Sequence, residues 1–152
     1  MILQQKFNPF VKMQKVIIDT NVIVSSLIQK SYPYHIIFDL VIEDKILLCI
    51  SPQLMEEYHA VLARPKFAQF QDFAVKAKIV LAHVKEKAIC YKPGIALNLI
   101  SDKDDNKILD LADESVADFV ITGNINDFTF PVYKQTNIVT PKDYWTHYRP
   151  AE

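Results

Sequence analysis

Glycine is scarce in this 152-residue chain, which contains only Gly94 and Gly123. A P-loop and a GxGxxG turn each need at least two glycines close together, so a glycine-rich loop that cradles phosphate is excluded. Histidines are also few, and the four lie so far apart that no HExxH pair can be written. Zinc chemistry based on histidine is therefore not favoured.

Cysteine and long apolar runs are equally sparse. Cys49 and Cys90 form no CxxC pattern, which fits a reducing compartment and argues against a disulfide framework or a zinc ribbon. Both are expected to be core residues. The longest apolar run, residues 46–50, is far shorter than the roughly 20 residues that cross a bilayer. The N-terminus also lacks a secretory signal pattern, so we expect a soluble, cytoplasmic protein.

The length and composition suit one globular domain. Hydrophobic residues make up 50% of the chain and charged residues 23%, which is an ordinary globular balance. We interpret residues 1–12 as an N-terminal extension and residues 13–152 as the domain, because Met13 lies directly before the first predicted strand.

The net charge of −1 hides an uneven distribution. Residues 102–127 contain eight acidic and two basic residues, whereas the rest of the chain is mildly basic. Such a protein could hold a polyanion around a site where acids bind metal. Solvated helix faces are an equally good explanation of the charge pattern alone.

Short apolar strands alternate with helical patterns along the chain. Buried strands are predicted at residues 16–18, 45–50, 119–121 and 138–139, with a possible short strand at 89–91. Helices are predicted at residues 22–27, 34–43, 52–63, 69–87 and 101–115, and Ser51-Pro52 and Thr140-Pro141 read as capped helix starts. This alternation predicts an α/β fold, a three-layer α/β/α sandwich with a central, mostly parallel sheet.

Two acidic residues are predicted at one edge of this sheet. Asp19 directly follows the first strand, and Glu57, next to Glu56, lies in the second turn of the helix after the second strand. Ligands of open parallel sheets bind outside the carboxyl ends of the strands. We therefore expect Asp19 and Glu57 to share this edge.

Further candidates come from two other segments. Asp105, with Asp102 and Asp104 as close competitors, opens the helix before the third clear strand, where an acid also complements the helix dipole. Asn124 and Asp127 follow that strand, although Gly-Asn is common turn chemistry. Side chains from four segments can thus converge on one edge.

Carboxylates gathered without nearby cations repel one another, and their pKa values rise. A divalent cation relieves this repulsion, and hard oxygen ligands suit Mg²⁺ or Mn²⁺. A lysine lying between Asp19 and Asp105 would argue against such a cation. Thr20 and Thr122 are candidates to hold a water or a phosphate, with simple capping as the alternative, and Asn21 is a candidate to position Asp19.

Four segments in order resemble the motifs of PIN-domain ribonucleases. They are VIIDTNV at residues 16–22, SPQLMEEY at 51–58, DKDDNKIL at 102–109 and VITGNINDF at 120–128. Each motif alone is weak, but four in order at the predicted places are specific. Their order and spacing are similar to the VapC-like branch of toxins in toxin–antitoxin pairs, and the match covers roughly residues 15–144.

The resemblance implies a metal-dependent endoribonuclease that hydrolyses single-stranded RNA and leaves 5′-phosphate and 3′-hydroxyl ends. Its catalytic, metal-binding acids would be Asp19, Glu57 and Asp105, holding one or two Mg²⁺ or Mn²⁺ ions. The family often has aspartate where this chain has Asn124, so either Asn124 or Asp127 completes the site. The implied partners are an RNA substrate, a cognate antitoxin and a second copy in a dimer.

Two other functions compete with this interpretation. A haloacid-dehalogenase-like phosphatase also begins with a strand and an aspartate, but it requires a second aspartate at the position of Asn21. A PIN-fold module that binds RNA or a protein without cleaving is the other alternative, and the neutral Asn124 favours it.

Overall fold

A six-stranded sheet forms the centre of the computed structural model, which describes residues 12–92, 103–128 and 131–151. The strands are β1 (Lys15–Ile18), β2 (Leu47–Ile50), β3 (Ile89–Cys90), β4 (Phe119–Ile121), β5 (Val132–Tyr133) and β6 (Thr136–Val139). Their order is β3-β2-β1-β4-β6-β5, and only the β5–β6 hairpin pairs antiparallel. The predicted α/β fold with a mostly parallel sheet is confirmed.

Five helices lie between the strands in the described part of the chain, and a sixth follows β6. They are α1 (Thr20–Ile28), α2 (Tyr32–His35), α3 (Pro52–Leu62), α4 (Phe73–Lys87), α5 (Lys103–Ser115) and α6 (Pro141–Asp143). A π-helical segment (Ile36–Val41) continues α2, another (Tyr144–Tyr148) continues α6, and short 3₁₀ helices span Pro65–Gln69 and Ile125–Asp127. Since parallel crossovers are right-handed, the helices between β1 and β3 cover one face and α5, before β4, covers the other.

Burial explains why the apolar segments form strands. Val16, Ile17 and Ile18 are each 0% exposed, so both faces of β1 are covered, as expected of a central parallel strand. The start of α3 follows from its sequence as well, because the Ser51 hydroxyl accepts a hydrogen bond of 3.1 Å from the Leu54 amide.

The structure corrects several predicted boundaries. The helix predicted at residues 69–87 begins only at Phe73, because Asp72 adopts a left-handed backbone (φ 62°) that separates α4 from the preceding 3₁₀ helix. Strand β5 was not predicted, since two residues are too short to show an alternating pattern. The prediction that both cysteines are core residues is wrong for Cys90, which is exposed, while Cys49 is buried.

The strand order creates a switch point beside β1. From β1 the chain adds β2 and then β3 on one side, and it later adds β4 on the other side of β1. Backbone hydrogen bonds continue past the strand ends, from the Asp19 amide to the Ile121 carbonyl (2.9 Å) and from Thr122 to Val139 (3.0 Å). The residues after β1 and β4 therefore meet at the position where open α/β sheets bind ligands.

The predicted domain boundary after residue 12 stays a prediction, because residues 1–11 lie outside the described residues. Within the described ranges, no helix is both long and apolar enough to cross a membrane.

Candidate active site

Asp19 and Thr122 meet at the switch point between β1 and β4. The Thr122 hydroxyl donates a hydrogen bond of 2.7 Å to Asp19 Oδ2, and Thr122 is 0% exposed. The same hydroxyl accepts a hydrogen bond of 3.0 Å from the Asn124 amide. Asp19 lies at the N-cap position of α1, but its side chain makes no capping hydrogen bond and is held by Thr122 instead. Its carboxylate is thus fixed in one orientation.

Asn21 links Asp19 to the loop after β4. Its Nδ2 donates to Asp19 Oδ2 at 3.4 Å, and its Oδ1 accepts a hydrogen bond of 3.2 Å from the Gly123 amide. A Cβ atom at position 123 would lie 3.3 Å from Asn21 Oδ1, so glycine permits this close approach. The arrangement holds the first turn of α1 against the loop after β4.

Glu57 reaches the same edge from α3. The Thr20 hydroxyl donates a hydrogen bond to Glu57 Oε2, which joins the first residue of α1 to α3. The next residue, Tyr58, is fully buried, and its hydroxyl donates to the Ile18 carbonyl at the end of β1. Ile18 and Thr20, the two chain neighbours of Asp19, are thus both hydrogen-bonded to α3. These bonds fix the position of Glu57 relative to Asp19.

Burial is the main reason why the pKa of Asp19 is raised above its usual value. Asp19 is only 7% exposed, and the negative charge of Glu57 raises its pKa further. The hydrogen bond from Thr122 and the charge of Lys107 act in the opposite direction. The net shift means that the protein partners of Asp19 only partly compensate its ionised carboxylate for burial.

Lys107 is the positive charge of this site. Its Nζ lies 2.6 Å from Glu57 Oε1, and both side chains are about one fifth exposed. Because Lys107 is on α5, this contact brings the first part of α5 to the edge where β1 and β4 end. Lys107 is therefore ion-paired with Glu57, one of the two acids that the described residues bring to this edge. The side chain of Asp105, the other acid of the predicted pair, lies outside the described residues.

The other predicted site residues have the following positions. Asp105 lies in the first turn of α5, and Asp127 ends the 3₁₀ helix Ile125–Asp127, but neither side chain is among those described. Asn124 is exposed in the loop after β4, and Asp102 lies outside the described residues. The structure thus brings together Asp19, Glu57, Thr20, Thr122 and Asn21.

The donor atoms suit a hard divalent cation. The carboxylates of Asp19 and Glu57 repel each other, since the charge of Glu57 raises the pKa of Asp19. A dication bound between two such carboxylates would offset this repulsion. Among the described side chains no group of three potential metal ligands occurs. A third ligand would have to come from a side chain outside these, and Asp105 stays the acid that the sequence analysis predicts for this role.

Sequence reasoning did not assign a role to Lys107 or Tyr58. The sequence signal for Lys107 is only that it lies in the second turn of α5, within the acidic segment 102–127. Tyr58 adjoins Glu57, and a tyrosine on a buried helix face usually finds a hydrogen-bond partner. Neither partner could be identified without the strand order.

Comparisons with known proteins show the family to which the chain belongs. The model of the PIN domain family matches residues 15–126, and the chain belongs to this family. The chain is also 33% identical over 110 residues to an uncharacterized protein of Methanocaldococcus jannaschii. The aligned region covers 72% of this chain and 70% of that protein. PIN domains are generally nucleases, so membership of this family indicates a nuclease-type hydrolase.

Proposed function

We propose that this protein is an endoribonuclease that depends on Mg²⁺ or Mn²⁺ and hydrolyses phosphodiester bonds of single-stranded RNA. The observation that carries the proposal is the meeting of Asp19 and Glu57 at the sheet's switch point, each held by a threonine hydroxyl. Membership of a family whose members generally are nucleases supports it.

The proposed roles follow from the contacts. Asp19, Glu57 and Asp105 would bind the metal, which, when bound, activates water and stabilises the negative charge that develops on the phosphate and leaving oxygens. Thr122 and Thr20 would keep their carboxylates oriented, as hydrogen-bond partners of metal ligands do. Water adds at phosphorus while the bond to the 3′ oxygen breaks, leaving 5′-phosphate and 3′-hydroxyl ends.

The experiment compares end-labelled single-stranded RNA with DNA of the same sequence and with duplex RNA. We expect cleavage of the single-stranded RNA with Mg²⁺ or Mn²⁺ and none with EDTA. Asp19→Asn, Glu57→Gln and Asp105→Asn should each abolish cleavage, while Glu56→Gln, an exposed neighbour on α3, should retain it. Cleavage that persists in Asp19→Asn would contradict the assignment.

The fourth ligand can be identified with paired variants. We propose that either Asn124 or Asp127 completes the metal site. If Asp127 is the ligand, Asp127→Asn lowers Mn²⁺ affinity and activity while Asn124→Ala leaves them nearly unchanged. The reverse pattern assigns Asn124. Equal losses indicate that both segments contribute.

A module that binds RNA or a protein without cleaving it is the second candidate. Two observations favour it: the neutral Asn124 where the family often has an acid, and the lysine ion-paired with Glu57. Binding of labelled RNA that is equally tight in the wild type and in Asp19→Asn, without cleavage in any divalent metal, would identify the module.

A toxin of a toxin–antitoxin pair is the cellular role that we propose. It predicts that expression arrests growth, that Asp19→Asn abolishes the arrest, and that a small antitoxin encoded beside the gene restores growth. We also propose a homodimer, which light scattering of the purified chain would test.

A further inference from the structure

The ion pair between Lys107 and Glu57 has a consequence for metal binding. Both carboxylate oxygens of Glu57 already have protein donors, with Oε1 bound to Lys107 Nζ at 2.6 Å and Oε2 bound to the Thr20 hydroxyl. A cation that coordinates Glu57 directly must therefore replace or share one of these contacts.

Electrostatics favours Lys107 as the contact that changes. An ammonium and a divalent cation at the same carboxylate repel each other, and the repulsion is several times stronger at a partly buried site than in water. A neutral hydroxyl such as that of Thr20 carries no such penalty and can stay in place. The charge of Lys107 also lowers the pKa of Asp19, so Lys107 interacts electrostatically with both Glu57 and Asp19.

The side chain of Lys107 can make this move. It is about one fifth exposed, and a lysine head group on a flexible stem can swing away from Glu57 without any change in α5.

We propose that Lys107 is a resident counterion that a divalent cation must displace from Glu57, so that Lys107 sets how tightly the site binds metal. The inference rests on the proposed metal site. It makes Lys107 a regulator of metal affinity rather than a metal ligand, and it predicts competition between the two cations for one carboxylate oxygen.

The direct test is titration of the full chain with Mn²⁺ by calorimetry. Lys107→Met keeps most of the side chain's length and removes its charge, so we expect Mn²⁺ affinity to rise at least about tenfold, which corresponds to about 1.4 kcal/mol. Lys107→Arg keeps the charge and should bind no more tightly than the wild type. Lys134→Met removes a lysine from an exposed ion pair with Asp113 and should leave the affinity unchanged.

Equal or weaker Mn²⁺ binding by Lys107→Met would overturn the inference. Binding by Lys107→Met but not by the wild type would support it strongly. If neither binds Mn²⁺, the proposed metal-dependent function fails and the inference fails with it. The two failures are thus distinguishable.

A second measurement needs no variant, in case Lys107→Met does not fold. Reductive methylation of the wild type followed by mass spectrometry reports how accessible each lysine amine is. We expect Lys107 to react faster when Mg²⁺ is present, while Lys134 reacts at the same rate in both conditions. An unchanged or slower rate for Lys107 would show that the metal does not displace it.

Discussion

Replacement of Thr122 by valine tests how much the buried hydroxyl contributes to Asp19. Valine has nearly the shape of threonine, so the main loss is the hydrogen bond of 2.7 Å to Asp19 Oδ2. A buried hydrogen bond to a charged group contributes about 1.5–3 kcal/mol to stability. We expect Thr122→Val to lower the free energy of unfolding by about 2–3 kcal/mol at neutral pH, or Tm by about 5–10 °C.

The pH dependence of this loss identifies its cause. The Thr122 hydroxyl lowers the pKa of Asp19, so it stabilises the ionised carboxylate more than the protonated one. The cost of Thr122→Val should therefore be largest above the pKa of Asp19. As the pH falls through that pKa, the cost should shrink to about 1 kcal/mol, the value of a neutral hydrogen bond.

The assay is urea unfolding of the metal-free chain across pH, with two controls. Thr122→Ser keeps the hydroxyl and removes one methyl group, so it should cost about 1 kcal/mol at every pH. In the Asp19→Asn background, Thr122→Val should cost only about 1 kcal/mol, because no charge is left to stabilise. A cost that is independent of pH and equal in both backgrounds would refute this reasoning.

Three further predictions concern Asp19, Val116 and Tyr58. Burial raises the pKa of Asp19, so ionisation of this carboxyl destabilises the fold. Asp19→Asn should therefore stabilise the metal-free chain against urea at neutral pH, and the gain should vanish as the pH falls through the pKa of Asp19. An equal gain at all pH values would contradict this. Val116 is 47% exposed and adopts a left-handed φ of 56°, a conformation that is strained for a β-branched residue. Val116→Gly or Val116→Asn should relieve this strain and raise the free energy of unfolding by about 0.5–1 kcal/mol. Val116→Ile, which is also β-branched, should not. Tyr58→Phe loses the buried hydrogen bond to Ile18 and should cost about 1–2 kcal/mol in the same assay, and an unchanged Tm would show that this bond contributes little.

The sign of the Asp19 prediction follows from proton linkage. A carboxyl whose pKa is higher in the folded than in the unfolded chain binds its proton more tightly when folded. Its stabilising contribution is present at low pH, below the unfolded value, and is lost as the pH rises through the folded value. A site that binds a dication is expected to have such a cost in the metal-free state, and bound metal would offset it.

Much of the fold could be predicted because its signals are local. Three consecutive apolar, β-branched residues at 16–18 predict a strand buried on both faces, and the structure has this strand as β1. Ser51 followed by Pro52 predicts the start of α3, and the capping hydrogen bond to Leu54 confirms it. These patterns depend on residues within one turn or one strand, so the sequence contains them completely.

The scarcity of glycine made other local features unpredictable. Left-handed backbone positions normally indicate glycine or asparagine, but here they are occupied by Asp44, Asp72, Val116 and Lys134. The break before α4 at Asp72 therefore left no signal in the sequence.

The sequence by itself determined an alternating α/β chain with Asp19 at the end of a buried strand, because apolar runs and capping residues act over short distances along the backbone. Only the tertiary structure decided that Thr122 binds Asp19 and that Lys107 binds Glu57, contacts that join residues 103 and 50 positions apart. The physical reason is that such contacts depend on the order of the strands, which places β4 beside β1. Short-range propensities do not encode that order.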